Sequence, residues 1–282
     1  MSVLVKIRQG LETFSPSEQK LGKFILENSQ EVLNMPITKL ADQSGVSEAT
    51  IVRFCRTLEL KGYQELKIAL STEIAKPLEE QQIRYEYIER NDSIENIIHK
   101  ISLGNYIAIQ DTLKVLDHQQ MEEAIELIHK AEKVYIYGVG ASSVVGLDLQ
   151  YKFMRINIPT FMYFDSHIQL TSAVHIKKGD VVIGISNSGR TKEIIEVLAI
   201  AKEQGADTIV ITQYGDSPIL EVADVKLFTA SVENNFRSAA MASRIAQLNI
   251  IDCIYIGLAC KRYDEVIGHL NKTRELLEYK KR

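Results

Sequence analysis

Two hydrophobic rhythms divide the chain. Through the first 77 residues, apolar side chains recur at three- and four-residue intervals in short blocks, the spacing of helices with one buried face. In "SPSEQKLGKFILEN", Leu21, Phe24 and Ile25 keep that interval, while Ser15, Pro16 and Glu18 supply an N-cap, a first-turn proline and a capping box. A second, shorter helix is predicted in "ITKLADQSG" and a third in "SEATIVRFCRTLEL", and Pro77 closes the section. Residues 78–133 read as charged amphipathic helix, including "SIENIIHKI" and "MEEAIELIHKAEK". From Val134 short β-branched runs alternate with helical patterns: "VYIYGVG", "PTFMYF", "DVVIGIS", "DTIVIT" and "VKLFTA". The intervening "TKEIIEVLAIAKEQG" ends in Gly205, which fits a C-cap. Such alternation predicts βαβ units. The expected organisation is an all-α domain over 1–77, a helical linker over 78–105, and an α/β domain over 106–282. The last should hold an open, mostly parallel five-stranded sheet with helices on both faces.

Composition changes this picture little. The chain has 282 residues, 45% apolar and 25% charged, and a formal net charge of −4. That balance excludes a uniformly basic coat but not a local patch that meets nucleic acid. Cys55, Cys253 and Cys260 show no metal-ligand spacing and read as small buried thiols in a reducing compartment. The start, "MSVLVKIRQGLETF", lacks the apolar core of a signal peptide, and "IAQLNIIDCIYIGLAC" is broken by Gln247, Asn249 and Asp252. The expectation is a soluble, cytoplasmic protein with no membrane partner, no metal and no cofactor.

The segment "LADQSGVSEATIVRFCRTL" divides as a helix-turn-helix must. Gly45 suits a left-handed turn and Ser47 caps the next helix. Ile51, Phe54, Cys55 and Leu58 fall on an inward side; Ala49, Thr50, Arg53, Arg56 and Thr57 fall on the other. Arginines on an outer face can bind guanine edges or phosphates, and small residues allow close approach to a major groove. Lys61, Tyr63 and Lys67 stand ready to grip the backbone, whereas Glu48 sits in the first turn, where the helix dipole favours it. An ordinary helical hairpin with a solvated face would show much of the same pattern.

Two loops in the second half share a chemistry. In "YGVGASS", Gly138 and Gly140 follow a strand, and Ser142 and Ser143 begin a helix. In "GISNSGRTKEII", Ser186, Asn187, Ser188, Gly189 and Thr191 follow the next buried strand. Small residues admit a ligand to the backbone, hydroxyls bond phosphate oxygens, and a helix N-terminus attracts the anion. Turn chemistry alone also selects Gly and Ser. A dinucleotide site is a further alternative: "GVGASS" starts a G-x-G-x-x-G pattern, but Ser143 stands where the last glycine belongs, and Asp165 lies near the end of the following strand. Two hydroxyl-rich loops suit a monophosphate better.

Taken in order, "SEATIVRFCRTLELKGYQELK", the S-x-S-G-x-T loop at 186–191 and "SRIAQLNIIDCIY" at 243–255 resemble the RpiR family of bacterial transcription regulators, over nearly the whole chain. The resemblance implies an N-terminal helix-turn-helix and a C-terminal sugar-isomerase-type (SIS) phosphosugar-binding domain. It places Ser142, Ser143, Ser186, Ser188 and Thr191 around the effector's phosphate, and Ser47, Thr50, Arg53 and Arg56 on or beside the DNA-reading face. The nearest likeness is to amino-sugar regulators that answer N-acetylmuramic acid 6-phosphate or similar compounds. The partners it implies are a near-palindromic duplex operator, a phosphosugar and a second copy, as dimer or tetramer, pairing through the apolar "RIAQLNIIDCIYIGL". An aldose–ketose isomerase on this fold would need a base such as Glu233, aided by His167, His175 or His269. A second domain that only dimerises is the third reading. A regulator without catalysis is the expectation.

Overall fold

The computed structural model describes residues 3–11, 13–74, 88–231 and 240–279. It divides into two compact units, Met1–Val115 with Ala230–Asn235, and Leu116–Thr229 with Phe236–Arg282. Pro77 and residues 78–87 of the expected linker lie outside the described residues.

The first unit is helical: α1 (Val3–Gly10), α2 (Pro16–Glu27), α3 (Ser29–Val32), α4 (Ile37–Ser44), α5 (Glu48–Thr57), α6 (Tyr63–Ile74) and α7 (Ile94–Val115). Helix α2 starts where the local chemistry dictates, with Pro16 at its first position and Glu18 reaching back to Ser15. Leu21 and Ile25 from α2, Leu40 from α4, Ile51, Phe54 and Cys55 from α5, and Leu66 and Leu70 from α6 are fully buried in one cluster. Phe54 anchors it, meeting Phe14 edge to face at a centroid distance of 5.2 Å. Short helices of this length are marginal alone, so this shared core is what holds them in place.

The second unit runs α8 (His118–Lys130), β1 (Val134–Gly138), α9 (Ala141–Arg155), β2 (Thr160–Met162), α10 (Ser166–Ala173), β3 (Val181–Ile185), α11 (Lys192–Glu203), β4 (Asp207–Gln213), β5 (Val225–Thr229), α12 (Met241–Lys261) and α13 (Tyr263–Tyr279). The five strands pair in the order β2-β1-β3-β4-β5, and every pairing is parallel. Residues of β1 and β3 are buried throughout, which explains their continuous apolar runs in place of alternation. Two cores result. Val134, Ile136, Val181, Ile183, Ile209 and Ile211 face α8, α9 and α12. Tyr135, Tyr137, Val182 and Val210 face α10 and α11. "PTFMYF" forms a strand only over Thr160–Met162, because this edge segment pairs with β1 alone.

Among the described residues no helix is long and apolar enough to cross a membrane, and no group of His, Cys, Asp and Glu is placed to hold a metal. Ile250, Ile251, Ile254 and Leu258 of α12 are spent on the unit's own core, which leaves Cys253, Ile256 and Cys260 exposed. Only Cys55 is a buried thiol, so the expectation fails for Cys253 and Cys260, which lie on the helix face turned from the sheet. Phe54→Ala should destabilise the first unit by about 3–5 kcal/mol. The check is the urea midpoint of that unit's unfolding, with Phe54→Leu recovering most of the loss.

Candidate functional site

The adjacent strands β1 and β3 set the geometry at one edge of the sheet. Their register brings Gly138 opposite Ile185, so both strands release the chain at the same level. The helices that follow then part: α9 packs on one face of the sheet and α11 on the other. The direction of winding therefore reverses at the carboxyl ends of β1 and β3, and open α/β sheets bind ligands in the crevice at such a point.

Backbone conformation builds the first loop. Gly140 has φ 59° and ψ −127°, a combination open in practice only to glycine, and a Cβ added there would meet nothing within 4 Å. Ser142 is half-buried. Ser143 is buried, and its hydroxyl donates to the Gly140 carbonyl at 2.6 Å. The second loop is tied together more tightly. Ser186 is buried, with its hydroxyl 2.9 Å from that of Thr191, and its N–H donates to Ile211 of β4 at 3.1 Å. Asn187 is half-buried and donates its amide to the Gln213 side chain at 3.4 Å. Ser188 is exposed and accepts the Arg190 N–H at 3.3 Å. Gly189, at φ 61°, lies over Ser217, whose Oγ would be 2.3 Å from an added Cβ.

The helix starts differ in a telling way. Ser47, Asp117 and Asp165 each accept a first-turn N–H through their side chains. The N-caps of α9 and α11, Gly140 and Thr191, make no such bond. Their first-turn N–H groups are the positive ends of two helix dipoles facing the crevice edge.

The first unit presents its own face. Gly45 takes the left-handed conformation (φ 63°) between α4 and α5, and Ser47 Oγ accepts the Thr50 N–H at 3.2 Å. Ala49, Arg53, Arg56 and Thr57 are exposed on α5, as are Ser47 just before it and Lys61 beyond its end.

Comparison with known proteins agrees with this arrangement. Residues 1–77 match the helix-turn-helix domain of the rpiR family, and residues 127–257 match the SIS domain. An uncharacterized HTH-type transcriptional regulator of Caldanaerobacter subterraneus subsp. tengcongensis is 47% identical over 279 residues, covering 99% of this chain and 98% of the relative. The chain belongs to the RpiR family. Another relative, the uncharacterized HTH-type transcriptional regulator YbbH of Bacillus subtilis, is 37% identical and covers 93% of this chain and 92% of its own length. Among solved structures, the Vibrio vulnificus NanR protein complexed with ManNAc-6P is 30% identical, with TM-score 0.61, over 98% of this chain and 97% of that one.

Within this RpiR-family regulator several nominated residues stand differently from expectation. Thr50 is buried, not on the outer face: it sits in the first turn beside Ile51, and its hydroxyl lies 2.9 Å from that of Ser47. Tyr63 does not face outward either; it is buried, and its hydroxyl donates toward the carbonyls of Val32 (3.2 Å), the last residue of α3, and Met35 (2.9 Å) beyond it. Lys67 stacks over the Tyr63 ring at 5.3 Å. Asp165, considered as a ribose ligand, caps α10 by accepting the Ile168 N–H at 3.0 Å. Glu233 lies outside the described residues. His167 and His175 are exposed, and His269 lies 3.6 Å from Glu265.

Sequence reading also missed residues. Arg190, inside the second loop, donates from Nη2 to the Asp216 carbonyl at 3.3 Å and adds a cation beside the serines; its place in "SNSGRT" was signal enough. Gln169 is buried and clamps the carbonyls of Gly138 (3.0 Å) and Tyr163 (2.6 Å), fixing the ends of β1 and β2. A glutamine on an amphipathic helix gives no such warning. Gly189→Ala should cost about 1–2 kcal/mol from its left-handed φ, with more from the clash at Ser217. The expected outcome is a lowered Tm together with lost binding of any ligand seated on this loop, read by calorimetry on the same sample.

Proposed function

We propose that this RpiR-family protein is a DNA-binding regulator whose SIS domain captures a phosphosugar of the amino-sugar 6-phosphate class and thereby changes operator affinity. The observation that carries the reading is the level at which β1 and β3 end, where the loops bearing Ser142, Ser188 and Thr191 lead into two helices whose N-caps make no side-chain bond to the first turn. A phosphate monoester matches that donor set. The NanR relative, described as complexed with ManNAc-6P, supports the amino-sugar class. Ser143 and Ser186 contribute by shaping the loops through hydroxyls already engaged there, with Gly140, Asn187 and Gly189 completing the backbone cradle.

On the DNA side, Ala49, Arg53 and Arg56 form the face that enters a major groove, with Ser47 and Lys61 at its edge and Thr50 supporting it from within. Two copies on a near-palindromic site, as dimer or tetramer, present two such faces one helical turn or more apart. Exposed Tyr151 and Met154 of α9 and Ile256 of α12 offer apolar surface for the pairing. The protein acts in the cytoplasm and without turnover. In support, residues 1–77 match the rpiR-family helix-turn-helix domain and both relatives are named transcriptional regulators. The effector must favour one state of the assembly, because equal affinity for both would shift nothing.

A thermal-shift panel of sugar phosphates, ManNAc-6P included, tests this. A selective ligand at a hundredfold excess over its Kd should stabilise the fold by about 2.7 kcal/mol. The Ser186→Ala, Ser188→Ala double variant should lose that shift while still binding operator duplex. An unaltered shift in the double variant would move the pocket elsewhere.

A further inference from the structure

Glu18 opens α2 as half of a capping box, and the structure gives its carboxylate a second task. Oε2 accepts the Ser15 N–H at 3.1 Å and the Ser15 hydroxyl at 2.6 Å. The other oxygen, Oε1, accepts the Thr57 hydroxyl at 3.1 Å. Thr57 is the last residue of α5 and is exposed with Arg53 and Arg56, one turn beyond Arg53, whose carbonyl its hydroxyl also approaches at 3.3 Å. Glu18 itself is buried. Burial acts to raise its pKa, but the bonds from Ser15 and Thr57 and the nearby charge of Arg53 outweigh that and hold the carboxyl below its ordinary range. It is therefore a fixed anion beneath a face that reads a polyanion.

Such a charge should be a handicap. A negative group under a DNA-facing surface repels phosphates, and removing it should tighten binding to any duplex. A cap alone does not need the charge, since glutamine serves equally at this position of a capping box. What glutamine supplies poorly is an anion that holds a hydroxyl and attracts a guanidinium at once.

We propose that Glu18 is a positioning residue for DNA recognition: it fixes the Thr57 hydroxyl, one turn from Arg53, before the duplex arrives. Thr57 then meets the duplex beside Arg53 with less side-chain freedom to lose. Non-specific binding uses mobile contacts to the backbone and gains nothing from this order. The inference rests on reading the outer face of α5 as the DNA-reading surface, and the test separates the two.

The probe is a duplex selected from a random-sequence library by the wild-type full-length chain, compared with a scrambled duplex at the same salt. Glu18→Gln should bind the selected duplex about tenfold more weakly, a coupling within the usual range for contacting groups, with the scrambled duplex bound as well as before or better. In an Arg53→Ala, Thr57→Val background the same substitution should change selected-duplex affinity by less than about twofold, because its partners are gone. Equal loss on both duplexes, no loss on the selected one, or an undiminished loss in the double background would each overturn the positioning role. If Arg53→Ala and Thr57→Val alone leave selected-duplex affinity untouched, the reading of α5 falls and takes this proposal with it. Should Glu18→Gln fail to fold by thermal unfolding, Thr57→Val, at an exposed position, must show the same split between duplexes or the idea is lost.

Discussion

The in-register parallel pairing of β1 with β3 is the constraint on which the second unit depends. Because both strands are buried on both faces, their side chains have no freedom to do chemistry; they are committed to two separate apolar cores. Parallel direction then forces each strand to deliver its chain at the same edge, and the parting of α9 and α11 to opposite faces leaves that edge open. Function is confined to the loops there because every other part of the strands is occupied by packing.

The same economy governs helix starts. Where an N-cap side chain accepts the first-turn N–H groups, as at Ser47, Asp117 and Asp165, that end is electrostatically satisfied and structural. At Gly140 and Thr191 no side chain accepts a first-turn N–H, and the positive end of the dipole is left without a cap. Two such ends at neighbouring strand termini carry more positive potential than either loop's composition suggests, since hydroxyls alone recur in ordinary turns. Arg190 adds a formal charge to the same rim.

In the helical unit, a single anchored face likewise frees the opposite one. Phe54 and its neighbours hold α5 by its inward side, so the outward side carries little structural duty. That division lets a small domain expose arginines without losing stability. For such a unit to answer an effector, the ligand must bind two arrangements unequally.

The chain's own pattern determined the element types, the five strand runs, the Gly45–Ser47 turn, the Gly205 cap and the two hydroxyl-rich loops. Each is a local property, set by periodicity of 2 or 3.6 or by the backbone needs of one turn. Tertiary structure alone decided which hydroxyls are already engaged, as with Ser143 on Gly140 and Ser186 with Thr191. It also turned Thr50 and Tyr63 inward, left Cys253 and Cys260 exposed, and joined Glu18 to Thr57 across 39 residues. Those outcomes depend on what packs opposite each side chain, and a helical wheel records direction about one axis without saying which neighbour fills it.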